Sequence, residues 1–76
     1  MTKLPRLTGR KLLRLLEKEG FIVKRIKGSH HFLKHIDGRQ TVIPIHSKEI
    51  IGPGLLYKIL RDIEVTKEDF INLLSH

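Results

Sequence analysis

Leucines cluster at positions 12, 13, 15 and 16, with Arg10, Lys11, Arg14 and Lys18 set among and around them. Residues three and four apart share one side of a helix, so Leu12, Leu15 and Leu16 form an apolar face suited to burial. Thr8 stands where an N-cap belongs, and Gly20 where a left-handed residue ends the helix. The pattern predicts a helix over about 9–19. The run Phe21-Ile22-Val23-Lys24-Arg25-Ile26 is β-rich and reads as a first strand, followed by a turn at Lys27-Gly28-Ser29. A second strand is expected over about 30–36, a two-residue hairpin at Asp37-Gly38, and a third strand over about 40–45. Pro44 cannot donate to a ladder and belongs at an edge or a strand end. After a polar, glycine-bearing connection over 46–54, Leu55, Leu56, Ile59, Leu60 and Ile63 recur at helical spacing. Thr66 caps a last short helix whose apolar side is Phe70, Ile71, Leu73 and Leu74.

The element order is therefore α-β-β-β-α with a short C-terminal helix, an α+β fold. Short connections make the three strands an antiparallel meander, and the helices cover one face of it while the other stays wet. Residues alternate sides along a strand, so His30, Phe32 and Lys34 separate from His31, Leu33 and His35. Leu33 is the core candidate. His30 and Lys34 then turn outward, with Phe32 half exposed between them.

Seventy-six residues fit one domain, read here as residues 1–76 with its core over about 8–74. A chain this short buries only about 60–65% of its unfolded surface, too little for a deep cofactor cleft between lobes. No cofactor is expected. The absence of cysteine removes disulfide, thiolate-nucleophile and cysteine-zinc chemistry and fits a cytoplasmic protein. No apolar run approaches the roughly 20 residues that span a bilayer, and residues 1–7 do not read as a secretory signal. No segment joins a basic face to exposed aromatic anchors, so a membrane is not the expected partner. The formal charge is +7, and it is unevenly placed. Residues 1–35 carry ten Lys/Arg against two Glu, whereas residues 36–76 carry five against six Asp/Glu. A basic excess confined to the first helix and first two strands favours a polyanion such as RNA.

Lys27-Gly28-Ser29-His30-His31-Phe32 places a titratable imidazole beside lysine at a strand start. Metal-free RNA cleavage requires removal of the 2′-hydroxyl proton, stabilisation of charge on phosphate, and protonation of the leaving oxygen. Histidine serves proton transfer near neutral pH, and such a cycle makes the rate depend on pH over about 5.5–8. Lys24, Arg25, Lys27 and Lys34 supply positive charge for phosphate. Gly28 and Ser29 can offer backbone N–H groups to it. DNA lacks the internal 2′-hydroxyl, so the set favours RNA. His46, where the third strand ends, can converge with His30 at one end of the sheet as a second proton carrier. Equally, it can cap the turn that follows. His31 is suited to packing or bonding beneath the sheet, His35 to simple exposure, and His76 is terminal. Adjacent His30 and His31 alternate faces and chelate poorly, no His-x-x-x-His falls on an expected helix, no His-Glu-x-x-His occurs, and no metal site is expected. Ser29 has no triad partner set, with Asp37 a strand's length away.

These segments in order resemble the HicA family of bacterial and archaeal mRNA interferase toxins. Gly20-Phe21, Lys27 through Phe32, His35-Ile36-Asp37-Gly38-Arg39 and Val42-Ile43-Pro44-Ile45-His46 carry the likeness. It continues through Gly52-Pro53-Gly54-Leu55-Leu56, Ile59-Leu60-Arg61 and Thr66-Lys67-Glu68-Asp69-Phe70. The resemblance covers about residues 8–74. It implies a double-stranded-RNA-binding-like fold used for mRNA cleavage, growth arrest, and neutralisation by a HicB-type antitoxin. The family's catalytic histidine matches His30. No second proton carrier follows from the resemblance, so His46 rests on strand geometry alone. Two other functions stand beside this one: a noncatalytic RNA-binding domain, and a partner-binding subunit without RNA turnover.

Overall fold

A computed structural model describes residues 4–75. His76 lies outside them. The elements are α1 (Gly9–Lys18), β1 (Ile22–Lys27), β2 (His30–Lys34), β3 (Gln40–Pro44), α2 (Pro53–Asp62) and α3 (Lys67–Leu74). This is the expected α-β-β-β-α order with an additional short helix, and the sheet is antiparallel in the order β1-β2-β3. Pro44 is the last residue of an edge strand, where its missing N–H costs nothing.

Each helix is started as its residues prescribe. The Thr8 hydroxyl accepts from the Lys11 N–H at 3.2 Å, and Thr66 accepts from the Asp69 N–H at 3.1 Å. Pro53 follows the Gly52 cap and begins α2 with its φ already set. The end of α1 is a Schellman motif, with the Phe21 N–H reaching the Leu16 carbonyl at 3.0 Å and Gly20 at φ 98°. A Cβ on Gly20 would also meet the His35 ring at 2.9 Å, so glycine is required there twice over.

The core lies between the helices and one sheet face. Leu12 and Leu16 of α1, Leu33 and Ile43 of the sheet, Leu56, Ile59 and Leu60 of α2, and Phe70 of α3 are all buried. Thr41, the one buried polar residue among those described, donates its hydroxyl to Asp62 at 2.8 Å. α1 packs on this core along the face that carries Gly9, Leu12 and Leu16. Gly9 is buried so tightly that a Cβ on it would sit 2.5 Å from the Pro44 carbonyl oxygen. Alanine is the better helix former by about 1 kcal/mol, yet overpacking against backbone costs about 1–3 kcal/mol. Gly9→Ala is therefore expected to lower the urea midpoint, and a raised midpoint would show that β3 yields to the added methyl.

The hairpin between β2 and β3 departs from the two-residue expectation. The His35 N–H donates to the Arg39 carbonyl at 2.8 Å, so the loop is Ile36-Asp37-Gly38. The Gly38 N–H closes a turn onto the His35 carbonyl at 2.9 Å, and Gly38 itself is left-handed at φ 103°. This is the three-residue hairpin in which a turn is followed by a glycine in the left-handed region. β2 accordingly stops at Lys34 instead of reaching Ile36, which is 97% exposed.

Candidate active site

β1 and β2 meet at Gly28-Ser29, with Lys27 and His30 as the last pair. Gly28 alone is left-handed, at φ 59°, in the first central position where a type II′ turn takes glycine. The register follows from that turn. His30 stands between Lys27 and Pro44, Phe32 between Arg25 and Val42, and Lys34 between Ile22 and Gln40. Directly opposed residues share a face, so these nine positions make up the wet side of the sheet. His30 and Lys34 are exposed and Phe32 half-buried, as the alternation predicts.

The ladder is broken once. The register shifts between Val23 and Arg25, leaving Lys24 as the extra residue of a bulge. Lys24 then lines a hollow of about 310 Å³ with Ile22, Lys34, His35 and Ile36 at the end of the sheet away from His30. Lys24, Arg25, Lys27 and Lys34 are all exposed, and among the described residues none of them forms an ion pair. Arg25 instead lays its guanidinium over the Phe32 ring, 4.6 Å from the centroid. Residues 22–34 and 40–44 contain no Asp or Glu. The wet face is thus a field of one sign, with His30 at one end.

Ser29 organises that end. Its carbonyl accepts from the Ile45 N–H at 2.8 Å and from His31 Nδ1 at 3.1 Å. A carbonyl only accepts, so the His31 proton is on Nδ1 and that ring is tied beneath the turn. The Ser29 hydroxyl lies 3.3 Å from His46 Nε2. His46 is therefore brought to the same end of the sheet as His30, held through Ser29. The turn after it is closed by its backbone, with the Glu49 N–H on the His46 carbonyl at 2.8 Å, so the imidazole is not a cap.

His35 is not a simple exposed residue. Its Nε2 donates to the Glu19 carbonyl at 3.0 Å, its Nδ1 accepts from the Asp37 N–H at 3.1 Å, and its ring meets Phe21 edge-on at 5.0 Å. Arg39 completes this brace. It holds Asp37 at 2.8 Å, reaches the Ile63 carbonyl at 2.6 Å, and lies over Phe21 at 5.1 Å. The His35–Arg39 segment thereby fastens the hairpin to the ends of α1 and α2, and its side chains serve the fold, not the reacting end. The Arg39 N–H on the Asp37 carboxylate, followed by the Arg39 guanidinium, holds the Asp37 pKa below its ordinary value. A depressed carboxylate contributes stability that is present above the unfolded pKa of about 3.9 and lost as pH falls through the folded one. The gap in denaturation midpoint between wild type and Asp37→Asn should be constant at pH 5–7, narrow as pH falls below about 4, and close only below the folded pKa. A gap that persists unchanged at pH 3 would contradict the assignment.

Residues 9–65 match the family model described as the HicA toxin of bacterial toxin–antitoxin systems. The chain belongs to the HicA toxin family. The match spans the turn, His30 and the whole wet face, and it ends before α3. No curated protein matches the chain closely. Membership makes this protein the toxin side of a toxin–antitoxin pair and implies an antitoxin partner. Among the described residues, no helix of this HicA toxin is long and apolar enough to cross a membrane. No three His, Cys, Asp or Glu side chains among them gather as a metal-binding group.

Sequence reasoning missed the Arg25–Phe32 contact and the Lys24 bulge. The first was accessible: a two-residue turn at Gly28-Ser29 pairs residue 27 with 30 and, by counting outward, 25 with 32. Nothing local marks the bulge, since Lys24 and Arg25 are both cationic and suit either side of an edge strand.

Proposed function

We propose that this HicA toxin is a metal-independent endoribonuclease that cleaves mRNA in the cytoplasm and is neutralised by a HicB-type antitoxin. The observation that carries the reading is the position of His30: exposed, paired with Lys27, and at the head of a sheet face bearing cations and no carboxylate. Lys24, Arg25, Lys27 and Lys34, with the Gly28 and Ser29 backbone, hold the phosphates. The 2′-oxygen attacks phosphorus, the bond to the 5′-oxygen breaks, and that oxygen takes a proton. His30 carries one of the two protons involved. His46 carries the other, steadied by the Ser29 hydroxyl 3.3 Å away. The working unit is the whole chain as one domain, an interpretation supported by the core that α1, the sheet, α2 and α3 share.

The test is cleavage of labelled single-stranded RNA in EDTA, with RNA binding measured in parallel. Cutting by wild type, lost in a folded His30→Ala protein that still binds, supports the enzyme. Binding without cleavage by either protein favours a noncatalytic RNA-binding domain. A HicB-type antitoxin acts by covering the wet face, because an acidic or hydrogen-bonding partner is complementary to it. Unchanged cleavage at saturating antitoxin would exclude direct blockade.

A further inference from the structure

Phe21 and Phe70 are core residues at 3% and 0% exposure, whereas Phe32 stands on the wet face of the sheet. An aromatic ring there contributes nothing to the packed side, and it is flanked along its own strand by His30 and Lys34. Across from it lie Arg25 on one side and Val42 on the other. We infer that Phe32 is a stacking platform for one unpaired nucleobase, with Arg25 moving from the ring to the adjoining phosphate, making the substrate single-stranded RNA with a base exposed beside the cleaved phosphate.

The inference rests on the RNA reading of this same face and adds a residue and a substrate class to it. Charge complementarity selects the occupant, since the strands around Phe32 carry no acid and four cations that form no ion pair among the described residues. Ring chemistry selects its form. Every base has a π-face that an aromatic side chain can stack on, but in a duplex those faces are already covered by neighbouring bases. The guanidinium now over Phe32 is an exposed cation–π contact, weaker than base–aromatic stacking. A base therefore displaces it, and the freed Arg25 pairs with the adjoining phosphate, for which its planar fork is suited. Phe32 follows His30 by two residues on one face, about 7 Å along the strand and of the order of one nucleotide step. The strand then continues towards Lys34 and the hollow of about 310 Å³ that Lys24 lines.

The chain contains no tryptophan, so Phe32→Trp creates a single reporter at the platform. Made in a His30→Ala background to prevent cleavage, it is titrated with a short single-stranded RNA, an abasic ribose-phosphate strand of equal length, and an RNA duplex. A Tyr57→Trp protein, labelled on α2 at a 45% exposed site, is the control. The platform predicts quenching of the Phe32→Trp indole by the base-bearing single strand and not by the other two, with the control unmoved. Phe32→Leu, in the same background, should bind the base-bearing strand about tenfold more weakly and the abasic strand unchanged. Arg25→Ala should weaken both. Equal affinity of Phe32→Leu and its parent for the base-bearing strand, with a silent indole, overturns the platform and leaves RNA binding by the face standing. No binding of any RNA by the parent overturns both, and quenching by antitoxin alone then assigns the ring to a protein interface.

Discussion

His30→Ala should cleave RNA about 10²–10⁴-fold more slowly than wild type while retaining most RNA affinity, because a positioned proton carrier contributes that much to rate and little to binding. The retained affinity follows from where the charges are. Arg25, Lys27 and Lys34 sit at separate positions along the wet face and Lys24 at the bulge beside it, and none depends on the imidazole for its placement. His30 is exposed on a strand whose pairing with Lys27 and Pro44 is made by backbone, so its truncation leaves no cavity. The variant should therefore melt close to wild type. A His30→Ala protein that lost affinity and rate together would make His30 a binding residue. A protein that kept its full rate would remove His30 from the chemistry altogether.

Phe70→Ala should cost about 3–5 kcal/mol, the range for emptying a fully buried aromatic site. A domain of this length holds only roughly 4–11 kcal/mol in total, so this one change removes a large share of its stability. The ring is 0% exposed and belongs to the same cluster as Leu12, Leu16, Leu33 and Ile43. It lies in α3, beyond the residues that match the family model. A melting midpoint lowered by roughly 10–40 °C in a single transition would establish α3 as part of one cooperative unit. A small shift, or a separate early transition, would mean that α3 docks on a domain complete without it.

Much of this architecture was legible because its punctuation is chemical and local. Thr8 and Gly20 bound the first helix, Pro44 ends the last strand, and Leu33 fixes which way β2 faces. With Leu33 inward, His30 and Lys34 had to be outward, and the candidate site followed from that single parity. The Asp37-Gly38 pair was misread because Asp-Gly suits both a two-residue turn and the last two places of a three-residue one. What separates them is the His35–Arg39 hydrogen bond, a property of the whole ladder. The bracing role of His35 was illegible for a related reason. Its acceptor is a backbone carbonyl at Glu19, sixteen residues earlier, and a carbonyl at a helix end leaves no side-chain signature. His46 was placed at the correct end of the sheet by strand direction, but its contact with the Ser29 hydroxyl depends on the turn that carries Ser29.

Attack by the RNA's own 2′-hydroxyl, with histidine moving the protons, fixes the chemistry at both sides of the cut. The ends of the products report this directly. Wild-type protein incubated with labelled single-stranded RNA in EDTA, and the fragments identified by mass, should give 2′,3′-cyclic phosphate or 3′-phosphate ends opposite 5′-hydroxyls. Fragments with 5′-phosphates and 3′-hydroxyls, or cleavage that disappears with EDTA, would contradict it.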